Sequence, residues 1–167
     1  YELDLSKTEV RCSMDTSLRD NNRSLLLELR EQATEIEFAS FDTKPVVSFL
    51  REFSAPVKLN YQREKEETQF IARNDNDGFV RWDAMQTLWL AAFDDPMLEE
   101  APCEVVQETA IEALKAENAE QKLLRANMLS VPTELYLLEQ LSDIDLDRTL
   151  NQRDGILRKL AIDNQDT

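Results

Sequence analysis

The hydrophobic residues of this chain keep one period up to about residue 73 and a different one after it, which requires two modules of different secondary structure. Before the change, apolar side chains alternate: Leu3 with Leu5, Val10 with Cys12 and Met14, Ile36 with Phe38, Val57 with Leu59 and Tyr61. Alternation in stretches rich in β-branched and aromatic residues is the pattern of half-buried strands. Leu25, Leu26, Leu27 and Leu29 fit a short strand or one helical turn, since a brief apolar run does not separate the two. A strand or an irregular edge segment is preferred there. Pro45 and Pro56 lack a backbone donor and belong at strand starts, edges or bends.

From Gly78 onward the spacing becomes helical. Phe79, Trp82, Met85, Trp89 and Phe93 recur at three- and four-residue steps and form one apolar stripe, which predicts a helix packed on a core. Asp94, Asp95 and Pro96 end it, because the residue before a proline is driven out of the α region. A second helix is expected over about 104–115. Two short ones are expected over 122–129 and 133–141, on either side of Ser130 and Val131, with Pro132 in a first helical turn. The last helix is expected from near Asp145 to about Ile162, with Leu146, Leu150, Leu157 and Leu160 as its apolar face. Gly155 weakens it by up to ~1 kcal/mol relative to alanine. The fold class is therefore α+β, with strands in residues 1–73 and helices in 74–167.

A chain of 167 residues with 42% hydrophobic content builds a real core, as one ordinary domain or two small ones. It has no apolar run near eighteen residues, no basic-then-apolar leader, and no methionine ahead of Tyr1. A soluble fragment or a processed chain is the expectation. The 34 acidic and 19 basic residues give a net charge of −15, which repels phosphate backbones and anionic bilayers unless the cations are segregated. They are scattered from Lys7 to Lys159, so no nucleic-acid and no membrane partner is expected. An acidic surface attracts cationic ligands, and it also serves solubility.

The chain contains no histidine. That removes the commonest general base near neutral pH, the H-E-x-x-H zinc helix, and every serine or cysteine triad built on imidazole. Two glycines cannot supply a dinucleotide or Walker phosphate loop. Cys12 and Cys103 form no C-x-x-C pair, and are read as buried or idle thiols with a disulfide left open. Asp75, Asp77 and Gly78 imitate positions of a calcium loop, but Arg73 and Ala84 stand where oxygen ligands are required, so helix capping is the better reading. Asp143, Asp145, Asp147 and Asp154 imitate a second such loop, but Arg148 replaces its glycine, and capping with first-turn dipole compensation again explains them. Trp82 and Trp89, at helical spacing with Phe79 and Met85, are read as core and not as a stacking platform. Carboxylate-only catalysis stays formally open, although no acidic pair has flanking residues that suggest it. No catalytic, cofactor-binding or metal-binding residue is assigned.

Glu52-Phe53-Ser54-Ala55-Pro56-Val57-Lys58-Leu59, then Arg73-Asn74-Asp75, then Arg81-Trp82-Asp83-Ala84 resemble the bacterial alanyl aminopeptidase (aminopeptidase N) family. That family carries a closely similar E-F-S-A-P-V-K-L segment at the end of its β-sandwich domain and R-W-D-A at the start of its helical C-terminal domain. Leu129-Ser130-Val131-Pro132-Thr133-Glu134 is similar to its L-x-x-P-S-E connection. The resemblance covers residues 30–160, and residues 1–29 match only weakly. It implies an antiparallel β-sandwich portion followed by an antiparallel, superhelical-type helical portion. It also implies a zinc peptidase as parent, whose H-E-x-x-H and G-A-M-E-N motifs lie in a catalytic domain upstream and are absent here. Zinc then belongs to the parent and is not bound by this chain, which is expected to be inactive alone. Its implied partners are the catalytic domain of the same polypeptide and the parent's peptide substrates, in the cytoplasm. Ala55 and Pro56 are expected at a bend in an edge strand, Trp82 at the sandwich-to-helix contact, and Asp83 on a backbone donor or beside the neighbours of Arg81. The rival reading is a freestanding acidic protein-interaction module with no activity.

Overall fold

The structure, a computed structural model, describes residues 5, 9–12, 16–19, 21, 23–39, 44–95, 102–106, 108–109, 119–140 and 145–163. By its internal contacts the chain divides into a unit of residues 1–45 and a unit of residues 46–167. A small antiparallel β region thus precedes an all-helical region, the α+β order read from the two periods.

In the first unit, β1 (Glu9–Cys12) pairs antiparallel with β4 (Ile36–Ala39), Val10 facing Phe38 and Cys12 facing Ile36. β2 (Thr16–Arg19) pairs antiparallel with β3 (Ser24–Leu27). Asn21 supplies a positive φ of 52° in the β2–β3 turn, a conformation asparagine tolerates better than most residues. β1 follows the alternation, with Val10 and Cys12 half-buried and Glu9 and Arg11 outward. Arg11 pairs with Glu9 at 2.9 Å and reaches its cross-strand partner Glu37 at 3.7 Å. Leu25 and its neighbours adopt the strand alternative, and Leu5 lies in no strand. Leu3 and Met14 fall outside the described residues. None of the described residues of this unit is buried, and Leu29 is 72% exposed. These two strand pairs expose apolar residues that a sandwich would cover from a facing sheet.

The second unit opens with a segment lacking regular structure except for a tight turn at Arg51–Phe53. Among the described residues the helices α1 (Lys65–Asn74), α2 (Gly78–Asp94), α3 (Ala119–Leu129), α4 (Glu134–Gln140) and α5 (Leu146–Asp163) follow. Residues 102–106 and 108–109 are also helical, which agrees with the helix expected from 104 as far as it is described. α2 is the hub: α1 packs along it, and α3, α5 and the Arg51–Phe53 turn also touch it. Its Met85, Leu88, Trp89 and Phe93 join Ile71 of α1, Val105, Leu137 and Ile156 in one core. Each large side chain buried this way contributes about 1.5–3 kcal/mol from removal of apolar surface from water.

α2 begins and ends as its sequence dictates. The Asp77 carboxylate accepts the first-turn N–H groups of Phe79 at 2.9 Å and Val80 at 3.1 Å, and the helix stops at Asp94. Pro96 lies outside the described residues.

Four expectations need correction. Val57, Leu59 and Tyr61 form no strand and are exposed, and Ala55 and Pro56 lie in the same irregular stretch. A strand needs a paired neighbour, and no described strand offers one here. α1 starts at Lys65, ahead of the change of period. Its packed side consists of Thr68, Gln69, Ile71 and Ala72, too polar to show as a stripe. Pro132 precedes α4 instead of opening it, since Thr133 Oγ1 accepts from Tyr136 N at 3.3 Å as the cap. Finally, α5 buries Ile156 and half-buries Leu150 but leaves Leu146 and Leu157 exposed, while the Leu160 side chain lies outside the described residues. Gln152 and Arg153 hold it down by donating to Ala92 O and Pro132 O, at 2.9 and 3.0 Å.

Candidate functional site

Of the acidic residues that imitate calcium loops, Asp77 and Asp145 are helix caps. Asp75 Oδ1 accepts Asp77 N at 2.8 Å, Asp77 caps α2, and Asp145 Oδ1 caps α5 by accepting Arg148 N at 3.1 Å. Arg73, at the first position of the imitation, instead pairs with Glu104 and Glu108 and ties α1 to the following helical segment. Asp143 lies outside the described residues. Among the described residues no group of three His, Cys, Asp or Glu side chains converges to hold a metal. With no histidine in the sequence, the described residues do not fit a zinc site of the H-E-x-x-H kind. Cys12 and Cys103 are thiols, the first half-buried and the second buried.

The feature with the chemistry of a site lies beside the hub helix. Trp82 and Gln86 of α2, the Ser130–Thr133 connection and Tyr136 of α4 line a cleft of about 170 Å³. Its formation is local. Trp82 and Gln86 stand four residues apart on one helix face, and the Ser130–Thr133 connection, which lies outside both α3 and α4, faces them across the cleft. The aromatic surface continues beyond it, since Phe79 lies 5.8 Å from Trp82 and 4.1 Å from Phe53, centroid to centroid. Val131 and Pro132 are buried, so the wall is apolar, while Gln86 is a polar side chain only 5% exposed.

Charge sits at the margin of the cleft. Asp83 is an exposed residue, yet crowding around its carboxyl pushes the pKa up, with the Arg63 guanidinium opposing the shift. Tyr136 is pushed up as well, first by burial and then by the negative charge of Asp83. Arg63 lies over the rings of Phe49 and Tyr61, 5.6 and 5.0 Å from their centroids, and donates to Val47 O at 3.1 Å. Among the described residues, the buried atoms Ser48 Oγ, Arg63 Nε and Trp89 Nε1 have no hydrogen-bond partner.

The charge acting on Asp83 is that of Arg63, and Arg81 Nε donates to Ala72 O at 2.9 Å. Of the tryptophan pair, Trp89 is core and Trp82 is a half-buried wall of the cleft. Gln86 escaped the sequence reading, although its signal was present: a polar residue set inside the apolar stripe between Trp82 and Trp89.

Comparison with known proteins adds the following. A family model described as a domain of unknown function (DUF3458_C), ARM repeats, matches residues 65–167. Another, described as a domain of unknown function (DUF3458), Ig-like fold, matches residues 7–62. The chain is similar to aminopeptidase N of Escherichia coli, 31% identical over 130 residues, covering 74% of this chain and 15% of that protein. Aminopeptidase N of Haemophilus influenzae is 27% identical over 129 residues, with 73% and 15% covered. That of Caulobacter vibrioides is 29% identical over 151 residues, with 87% and 17% covered. Among solved structures, Legionella pneumophila aminopeptidase A in complex with aspartic acid matches with a TM-score of 0.65 at 22% identity, over 85% of this chain and 17% of that one. That likeness shows the fold. The chain spans about one-sixth of the length of the proteins it matches.

Proposed function

On the premise that the chain belongs to the family described as DUF3458_C, ARM repeats, we propose that it is a non-catalytic structural portion of a zinc-dependent alanyl aminopeptidase that removes N-terminal residues from peptides. At the family level the chain is linked to aminopeptidases N and A. The observation that carries the proposal is the union of that membership with a sequence devoid of histidine, which leaves the hydrolytic metal centre to another part of a longer polypeptide. The uncovered apolar residues of the β unit support it, because a sandwich portion with no buried described residue calls for a covering surface from elsewhere. So does the alternation of Val57, Leu59 and Tyr61, which is suited to a ladder the described residues do not provide.

On this reading the catalytic domain of the same polypeptide is the partner, peptides are the parent's substrates, zinc is the parent's metal, and the compartment is the cytoplasm. No helix of the described residues is long and apolar enough to cross a membrane. In this reading residues 7–62 belong to the sandwich, and residues from 65 onward, α1 included, to the start of the helical cover.

The test is an assay of the pure chain on an alanyl chromogenic substrate with and without added zinc, together with the mass of the native species in its source cells. No release of product and a native species several times heavier than 19.3 kDa, active and carrying zinc, are expected. Zinc-dependent turnover by the pure chain would refute the proposal. A native species of the chain's own mass would also refute it, in favour of a freestanding acidic interaction module.

A further inference from the structure

No residue from Val46 to Glu67 is buried, so few contacts hold this stretch in place. Arg63 closes its ends, donating to Val47 O at 3.1 Å and lying over the rings of Phe49 and Tyr61, which meet at 4.9 Å. A surface loop whose ends are held together by its own side chains has the form of an Ω-loop. Between those ends, the backbone groups of Lys58 to Gln62 have no hydrogen-bond partner among the described residues.

The middle of the loop is pinned to the connection between α1 and α2 by three consecutive residues. Arg51 donates to Asn76 Oδ1, and its Nε lies 4.0 Å from Asp75 Oδ1. Glu52 N donates to Asp77 Oδ2 at 2.6 Å, and the Phe53 ring lies 4.1 Å from that of Phe79. The receiving side is built independently of the loop. Asp75 Oδ1 accepts Asp77 N at 2.8 Å, and the cap of α2 uses Asp77 Oδ1, leaving Oδ2 for Glu52. Departure of the loop therefore leaves the helix cap in place.

Three features favour departure. Leu50, Glu52 and Phe53 take positive φ, where a side chain costs steric energy. Ser48 Oγ and Arg63 Nε are buried without a hydrogen-bond partner among the described residues, and opening returns them to water. No buried residue of the loop opposes its exposure.

We propose that residues 47–63 are a strap that opens from the α1–α2 connection by local unfolding while the helices stay folded, and that opening uncovers one side of the Phe79 ring. That ring continues to Trp82 at a centroid distance of 5.8 Å, so the closed strap is a cover over an aromatic surface of α2. The device is built from this chain's own residues and is independent of the peptidase reading.

Amide hydrogen exchange of the 167-residue chain, resolved by residue, tests it under conditions where the rate follows the open population. Glu52 and Ser54, whose N–H groups donate to Asp77 Oδ2 and Arg51 O, report the closed strap. Leu88, Trp89 and Ala92 on the buried face of α2 report the core. Glu52 and Ser54 are protected, but they exchange together and faster than the core amides. Arg51→Gln speeds both roughly tenfold and Phe53→Ala roughly fivefold, with the core amides unchanged. Ile156→Val, in the core contact of α5, speeds the core amides roughly fivefold and leaves Glu52 and Ser54 unchanged. Exchange of Glu52 in step with the core amides across these variants overturns the proposal, because the strap then opens only with the helices. Absence of protection at Glu52 overturns it by removing the closed state. An unaltered Glu52 rate in Arg51→Gln overturns the clamp, and one in Phe53→Ala overturns the cover over Phe79.

Discussion

Replacing Asp77 with alanine removes three hydrogen bonds at one stroke. Two are the cap of α2, to Phe79 N at 2.9 Å and Val80 N at 3.1 Å. The third, from Glu52 N to Asp77 Oδ2 at 2.6 Å, holds a turn in which Leu50, Glu52 and Phe53 take φ of 55°, 55° and 53°. Residues with side chains pay a steric penalty in that region and persist there only when their surroundings fix them. Loss of a helix cap costs about 1 kcal/mol, and loss of one exposed, charge-assisted bond adds about 1 kcal/mol more. The expected total is about 2 kcal/mol, or a fall of roughly 4–8 °C in melting temperature for a chain of this length.

Urea unfolding measures the total, and limited proteolysis between residues 50 and 54 measures release of the turn. Asp77→Asn keeps an acceptor for the cap and should recover more than half of the loss. Should Asp77→Ala melt within about 0.5 kcal/mol of the unaltered protein, the size expected of a neutral surface change, the assignment of Asp77 as joint cap and anchor is wrong.

Two smaller effects follow from single residues. Gly155 lies inside α5, and a Cβ added to it would meet nothing within 4 Å, so Gly155→Ala should raise stability by about 0.5–1 kcal/mol in the same urea experiment. Because the Asp83 pKa is raised in the folded state, the native protein holds its proton longer than the unfolded chain does. Stability therefore falls as pH rises from the ordinary carboxylate value of 3.8 through the folded pKa, and the deficit persists above it. Asp83→Asn should match the unaltered protein near pH 3 and exceed it at pH 7 in thermal melts; the opposite trend would show that Arg63 dominates the carboxyl.

How much of this was written in the sequence depended on whether one side chain type filled one face. α2 was legible from end to end, because its stripe is large and apolar and its cap is an aspartate directly before a glycine. β1 and β4 were legible from strict alternation. α1 was not, because Thr68 and Gln69 occupy its packed side and Phe70 points outward at 47% exposure. The packed face of α5 was misread because leucine spacing suggested one stripe while Gln152 and Arg153 anchor a different side. The cleft was hidden for a related reason: it combines two helices and a connection far apart in sequence, and only Gln86 announces it locally.

The bond between Glu52 and Asp77 also bears on where this protein can be divided. The two family matches part between residues 62 and 65, and a chain begun at that seam would look complete in sequence. It would lack Phe53, which stacks on Phe79, and the backbone donor that Asp77 grips. The helical unit defined by internal contacts begins instead at Val46, so the border between the family matches and the border set by packing do not coincide.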